Sequence, residues 1–249
     1  VKAYFKATNL ESSLLDLQDF RGDDYVIIIV DGPPASGKST VAMYLAKRLG
    51  SKVYRFKRLG FLNLYAELLL QITSLRDMLS NMGVSGSPKI MQVLKRDERD
   101  PILFVSSRFL QRTALVNFLL EAIYKYVRFF MLIVLVLMYK SIVVDEWFSL
   151  GWANYYNLLV YKKAFKLRHV EVLMRLDVLS LHLLSRMSRV YVYFINRSQE
   201  KLALFWRRRG HVTPFDVRYA TFVRYFFNLL VHTCERRKIN ISTKYLYLP

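Results

Sequence analysis

Residues 31–40 read DGPPASGKST, and they directly follow YVIIIV at residues 25–30. The apolar run is unbroken and rich in β-branched residues, the pattern of a strand buried on both faces of a parallel sheet. Gly32, Gly37, Lys38 and Ser39 satisfy G-x-x-x-x-G-K-[ST]. Next, STVAMYLAKRLG puts Val41, Leu45 and Leu49 on one helical face and stops at Gly50, a normal helix terminator. Strand, glycine loop and amphipathic helix in this order are what a phosphate-holding loop needs. Backbone N–H groups of the loop and the helix start wrap the phosphates, Lys38 reaches the β- and γ-phosphates, and Ser39 ligates Mg²⁺. Ser36 and Thr40 complete the expected cradle, and ATP and Mg²⁺ are the expected cofactors. The competing reading is a glycine turn that happens to start a helix.

The flanking segments extend the pattern. KVYRF reads as a second strand and FLNLYAELLLQITSLRDML as a helix, with the glycine- and proline-bearing NMGVSGSPK after it as a flexible loop. From Ile102 to about Met138 the pattern is helical, as one long helix or two pieces. Then come the strand SIVVDEW, helices over WFSLGWANYYNLLVYKKAF and RHVEVLMRLDVLSLHLLSRM, the strand RVYVYFI and the helix SQEKLALFWRRRG. In TPFD, Thr213 as N-cap and Pro214 at the first helical position start a last helix toward Arg237. INISTKYL closes as a strand. Strands and helices that alternate in this way predict a three-layer α/β/α fold around a five-stranded parallel sheet. Residues 1–24 read as an N-terminal arm and 25–249 as one domain.

IVVDE sets four apolar residues before two acids, the layout of a strand that ends beside the loop. Asp145 is placed to hold Mg²⁺, and Glu146 to act as base on a hydroxyl or a water. The structural alternative is an acidic turn capping the next helix. FWRRRGH puts Arg207, Arg208 and Arg209 at the end of a helix, where a lid spanning 197–214 would bring positive charge onto a moving phosphate. The plain alternative is a basic helix end that favours the helix dipole.

Composition bounds the partners. The chain of 249 residues is 53% hydrophobic, enough for one full core, and carries 38 Lys plus Arg against 19 Asp plus Glu. That +19 balance favours polyanions, so nucleic acid is a conceivable though not a favoured partner. The single cysteine, Cys234, excludes an internal disulfide and a cysteine-cluster zinc site. The first twenty residues lack a signal-peptide pattern, so a cytoplasmic location is expected. FFMLIVLVLMY, from Phe129 to Tyr139, falls short of the roughly 18–20 residues that span a bilayer. It reads as a buried helix, and no transmembrane segment is expected. His169, His182, His211 and His232 show no metal-ligand spacing, and His182 reads as a satisfied core residue.

Together these stretches resemble the nucleoside and nucleotide kinase branch of the P-loop proteins, thymidylate kinases in particular, from about Tyr25 to the last strand. DGPPASGKSTVAMYLAKRLG also looks like the opening of cytidylate kinases. KRLG at 57–60 stands where thymidylate kinases have an Arg-Glu-Pro-Gly turn, which implies acceptor contacts for Lys57 and its neighbour Arg58. LFVSSRFLQR is similar to the helix that carries an arginine near the acceptor base, which maps to Arg108. VVDEWFSLGWANYY resembles the Asp-Arg-Tyr segment, and VYVYFINRSQEKLALFWRRRG the fourth strand and its arginine-bearing lid.

Two departures bear on the acceptor. Glu146 stands where the family has a phosphate-binding arginine, and Pro34 where thymidylate kinases carry a sugar-binding Asp. A carboxylate there repels a monophosphate and suits a neutral hydroxyl. The resemblance implies a phosphotransferase moving the γ-phosphate of Mg-ATP to a nucleoside or nucleoside monophosphate, with residues 61–110 lining the acceptor. It also implies a homodimer through helices beside the sheet, with the 129–139 face available. A P-loop ATPase with an Asp-Glu pair and a catalytically retired module of a nucleic-acid assembly remain as alternatives.

Overall fold

The computed structural model describes residues 25–56, 59–80 (backbone alone over 73–80), 102, 105–208 and 216–248. The arm at 1–24, the loop at 81–89, Lys57, Arg58 and Arg209 lie outside the described residues, as do parts of 61–110 and 197–214.

Chain order is β1 (Val26–Asp31), α1 (Lys38–Leu49), β2 (Lys52–Arg55), α2 (Gly60–Ser80), α3 (Ser107–Arg112) and α4 (Ala114–Tyr139). There follow β3 (Ser141–Asp145), α5 (Ser149–Val160), α6 (Leu167–Met187), β4 (Arg189–Asn196), α7 (Gln199–Arg208), α8 (Val217–Arg236) and β5 (Ile241–Tyr247). All five strands are parallel, in the order β2-β3-β1-β4-β5. β1 is central and buried along its whole length, which is why its sequence is continuously apolar rather than alternating. Its side chains divide between two cores. Ile28 and Val30 pack with Val41 and Leu45 of α1, while Ile27 and Ile29 face residues of α4, α5, α6 and α8. The expected three-layer α/β/α architecture is therefore what the chain forms.

Register sets the edge that matters. Val30 pairs with Asp145, Arg55 with Asp145, and Asp31 with Phe194. The carboxyl ends of β1, β2, β3 and β4 thus lie side by side, the edge at which open parallel sheets bind ligands.

Of the two forms expected for 102–138, the described residues take the second: two helices, broken at Thr113, whose hydroxyl donates to the Phe109 carbonyl at 3.0 Å. Three other sequence expectations need correction. α8 starts at Val217, later than expected: Asp216 is its N-cap in an extended conformation, and its carboxylate accepts from the backbone N–H groups of Arg218 and Tyr219, while Thr213 and Pro214 lie outside the described residues. His182 is half-buried, and its Nδ1 has no hydrogen-bond partner.

The third correction is the largest. The 129–139 run is helical but not buried: Phe130, Val134, Leu137 and Met138 are each more than half exposed. α4 is long and apolar enough to cross a membrane by length and composition. Yet its inward stripe is Asn117, Glu121, Lys125, Arg128, Leu132 and Val136, at spacings of three and four residues. The first four are polar and engage other parts of the fold, so the helix turns its polar face in and its apolar face out.

Candidate active site

The loop is shaped by close approach. Gly32 has φ +144°, and a Cβ there would stand 2.8 Å from the carbonyl oxygen of Ile195 on β4. Gly37 has φ +96° and leads into α1. Only glycine takes both conformations without strain, so the spacing found in the sequence is a backbone requirement. Lys38 opens α1, is buried, and donates from Nζ to the Pro33 carbonyl at 3.0 Å, folding back over the loop. Ser39 and Thr40 stand in the first turn of the same helix. Ser36 is fully buried, with its Oγ lacking a hydrogen-bond partner.

Asp145 ends β3 and Glu146 follows at φ +74°, a rare conformation for a non-glycine residue and one that marks a constrained turn. Both acids are buried. They do not cap α5. That task falls to Asp31, whose Oδ2 accepts from the backbone N–H groups of Phe148 at 3.1 Å and Ser149 at 2.7 Å, while Oδ1 accepts from Gly32 at 2.8 Å. Burial pushes the Asp31 carboxyl upward in pKa, opposed by the Ser149 and Gly32 amides and by Lys38. Asp31 thereby pins the start of the loop to the turn after β3.

The acids face Arg55 at the end of β2. Its Nε lies 3.7 Å from Asp145 Oδ2 and its Nη2 3.8 Å from Glu146 Oε2, with most of the Arg55 side chain exposed. Oδ1 of Asp145 is buried without a hydrogen-bond partner. This orphan oxygen, with the Ser39 hydroxyl as second donor, is a donor set that suits Mg²⁺, an ion that takes one or two protein oxygens and completes its shell from phosphates and water. Among the described residues no three His, Cys, Asp or Glu side chains converge on one point. A metal at this edge would therefore depend on phosphate oxygens.

Behind the turn lies a buried polar cluster that the sequence reading missed. Lys125 Nζ contacts Asp177 Oδ2 at 2.5 Å, Trp152 Nε1 donates to the same oxygen at 2.7 Å, and Tyr155 donates to Glu121 Oε1 at 2.7 Å. Burial raises the pKa of Glu121, lifts that of Tyr155 well above its ordinary value, and lowers that of Lys125. At the end nearest the turn, the Arg128 guanidinium lies 4.6 Å from the Trp147 ring centre and 5.0 Å from that of Phe56. Its Nε and Nη2, the two N–H groups on one edge of the guanidinium, are buried without a hydrogen-bond partner. Trp147 and Trp152 are both buried.

The remaining predicted residues are spread further. Arg108 is exposed on α3. Arg207 and Arg208 are exposed at the last turn of α7, Arg208 beside Phe205 with its guanidinium 5.7 Å from the ring centre. Sequence reasoning missed Asp31, Arg55 and Arg128. Position was the available signal for the first two, since each stands at the carboxyl end of a parallel strand.

No protein-family model matches the sequence, and no curated protein does. Among solved structures, a deoxyadenosine kinase from M. mycoides with bound dCTP is similar at 12% identity and a TM-score of 0.46, over 89% of each chain. The same enzyme with bound dATP gives 11% identity and a TM-score of 0.43, over 89% of this chain and 90% of that one. These likenesses assign no residue role. The fold stands on its own strand order and loop.

Proposed function

We propose that this protein is an ATP-dependent phosphotransferase that moves the γ-phosphate of Mg-ATP to a nucleoside-like acceptor. The observation that carries the reading is the sheet edge, where a glycine-shaped loop with its lysine meets two buried acids, one of them with an unpartnered carboxylate oxygen. Lys38 and the loop amides hold the donor phosphates. Ser39 and Asp145 would hold Mg²⁺, which would supply Lewis-acid stabilisation of phosphate charge there. Glu146 takes the proton of the acceptor hydroxyl, and Arg55 keeps both acids in place. The acceptor lies on the side of the turn lined by Trp147 and Arg128, where the unpaired guanidinium edge suits two neighbouring acceptor atoms on a base.

The outward face of α4 supports a homodimer. Its 26 residues extend about 39 Å, and Leu115, Leu119, Ile123, Phe130 and Val134 are exposed along it, with Leu64 and Leu68 of α2 adding further exposed apolar surface. Two such faces would bury on the order of 1,000 Å², the size at which a specific interface becomes stable.

The test is ATP turnover with Mg²⁺, with and without a panel of nucleosides and nucleoside monophosphates, and with Lys38→Ala as control. ADP release that requires one acceptor and vanishes in the control is the expected result. Acceptor-independent release would make the protein an ATPase, and binding without release would make it a retired module.

A further inference from the structure

On the opposite side of the loop from the acids, a second group of cations surrounds a cavity of about 120 Å³. Pro33 of the loop, Asn196 and Arg197 at the end of β4, Gln199 at the start of α7, and Thr221 and Arg224 of α8 are among its walls. No acid is among its described lining residues. The cavity is continuous with the loop because Gly32 packs directly on Ile195, one residue before Asn196.

The two arginines are held rather than free-swinging. Arg224 donates from Nη2 to the Asn196 side-chain oxygen, and the Asn196 backbone carbonyl accepts from Leu248 N at 3.1 Å. The Arg197 guanidinium stacks on Phe205 at 4.6 Å, and its Nε is buried with no hydrogen-bond partner. A buried guanidinium donor left unpaired carries a standing desolvation cost, which an anionic oxygen would remove. Two positive side chains with polar amide and hydroxyl neighbours, and no acid among the described lining residues, define an anion site with room for a phosphate group.

We propose that Arg197 and Arg224 form a phosphate-binding subsite beside the loop, which takes the terminal phosphate of a loop-bound nucleoside triphosphate. The proposal rests on reading the loop as a nucleotide site. It gives the positive charge expected of Arg207–Arg209 to residues already at the loop. Arg207 and Arg208 stand at the far end of α7, whose ten residues extend about 15 Å.

The experiment is calorimetric titration of the full chain with ATP, AMP and inorganic phosphate, on wild type, Arg197→Gln, Arg224→Gln, Arg197→Lys and Lys38→Ala. Thermal melts by circular dichroism verify folding of each variant. We expect either glutamine variant to weaken ATP by about 10- to 100-fold, the worth of one or two charge-assisted hydrogen bonds, while AMP affinity stays within twofold. Arg197→Lys should recover part of the loss, since it keeps the charge without the flat donor edge. Phosphate binding lost in Arg197→Gln, with ATP affinity unchanged, would keep the subsite but overturn the terminal-phosphate assignment in favour of free phosphate. ATP and phosphate affinities both unchanged in folded Arg197→Gln and Arg224→Gln would overturn the proposal. Wild type that binds no ATP would instead overturn the nucleotide reading of the loop, and the phosphate titration alone would then decide the subsite.

Discussion

Asp177→Ala tests whether the polar stripe of α4 is a dry, paired network. The substitution removes the carboxylate that Lys125 Nζ contacts at 2.5 Å and Trp152 Nε1 at 2.7 Å, in a site where both Asp177 and Lys125 are more than nine-tenths buried. Removing one partner of a buried pair costs about 3–5 kcal/mol. Chemistry caps that figure, because shedding the lysine proton at pH 7 costs about 4.6 kcal/mol from an ordinary pKa near 10.4. The stranded indole N–H adds about 1–3 kcal/mol. The expected loss is therefore about 4–7 kcal/mol, a large part of the stability of an ordinary domain.

The pH dependence has a definite sign. Burial lowers the Lys125 pKa, and Asp177 and Glu121 oppose that shift. Without Asp177 the folded value drops further below the unfolded one, so the native state releases its proton first. Stability of the variant should then rise with pH between those two values, at up to about 1.4 kcal/mol per pH unit. Urea unfolding at pH 7, 8 and 9 reads both quantities. Lys125→Met combined with Asp177→Leu should recover most of the loss, since neither charge remains to be buried. A loss under about 1 kcal/mol with a flat pH profile would refute the reasoning, because it would mean that water reaches the pair.

Three further outcomes follow from the geometry. Gly32→Ala should cost about 1–3 kcal/mol and weaken ATP at least about tenfold, since its Cβ meets the Ile195 carbonyl at φ +144°; Gly50→Ala, at φ +60° with open space around it, should cost about 1–2 kcal/mol and leave ATP binding intact, as melting and calorimetry will show. Burial lifts the Cys234 thiol to about 12, so a thiol reagent at pH 8 should label it only as fast as urea unfolds the chain, and rapid labelling of native protein would contradict its placement. Light scattering at micromolar concentration should give a dimer for wild type and a folded monomer for Phe130→Glu with Val134→Glu, whereas a monomeric wild type would end the dimer reading.

Much of the fold was legible because its signals are local. A strand buried on both faces must be continuously apolar, and a loop that wraps phosphate must place glycine and lysine at set positions, so YVIIIVDGPPASGKST declares itself. The acids after β3 were legible for the same reason. That Asp31 caps α5 was not, because it stands 117 residues before Phe148 in the chain. Arg128 was likewise invisible as a site residue, because an arginine inside a helix carries no mark of what it will face, whereas Arg55 was marked only by its place at the end of a strand.

The clearest division falls on α4. Its sequence determined a long apolar helix and nothing about which side the protein would cover. Only the tertiary structure turned Glu121, Lys125 and Arg128 inward, because Tyr155, Asp177 and Trp147 arrive there from other elements to meet them. Hydrophobicity acts through the area a helix can bury, whereas a buried charge is tolerated only where partners are already in place, and those partners belong to the packed fold rather than to the run of residues.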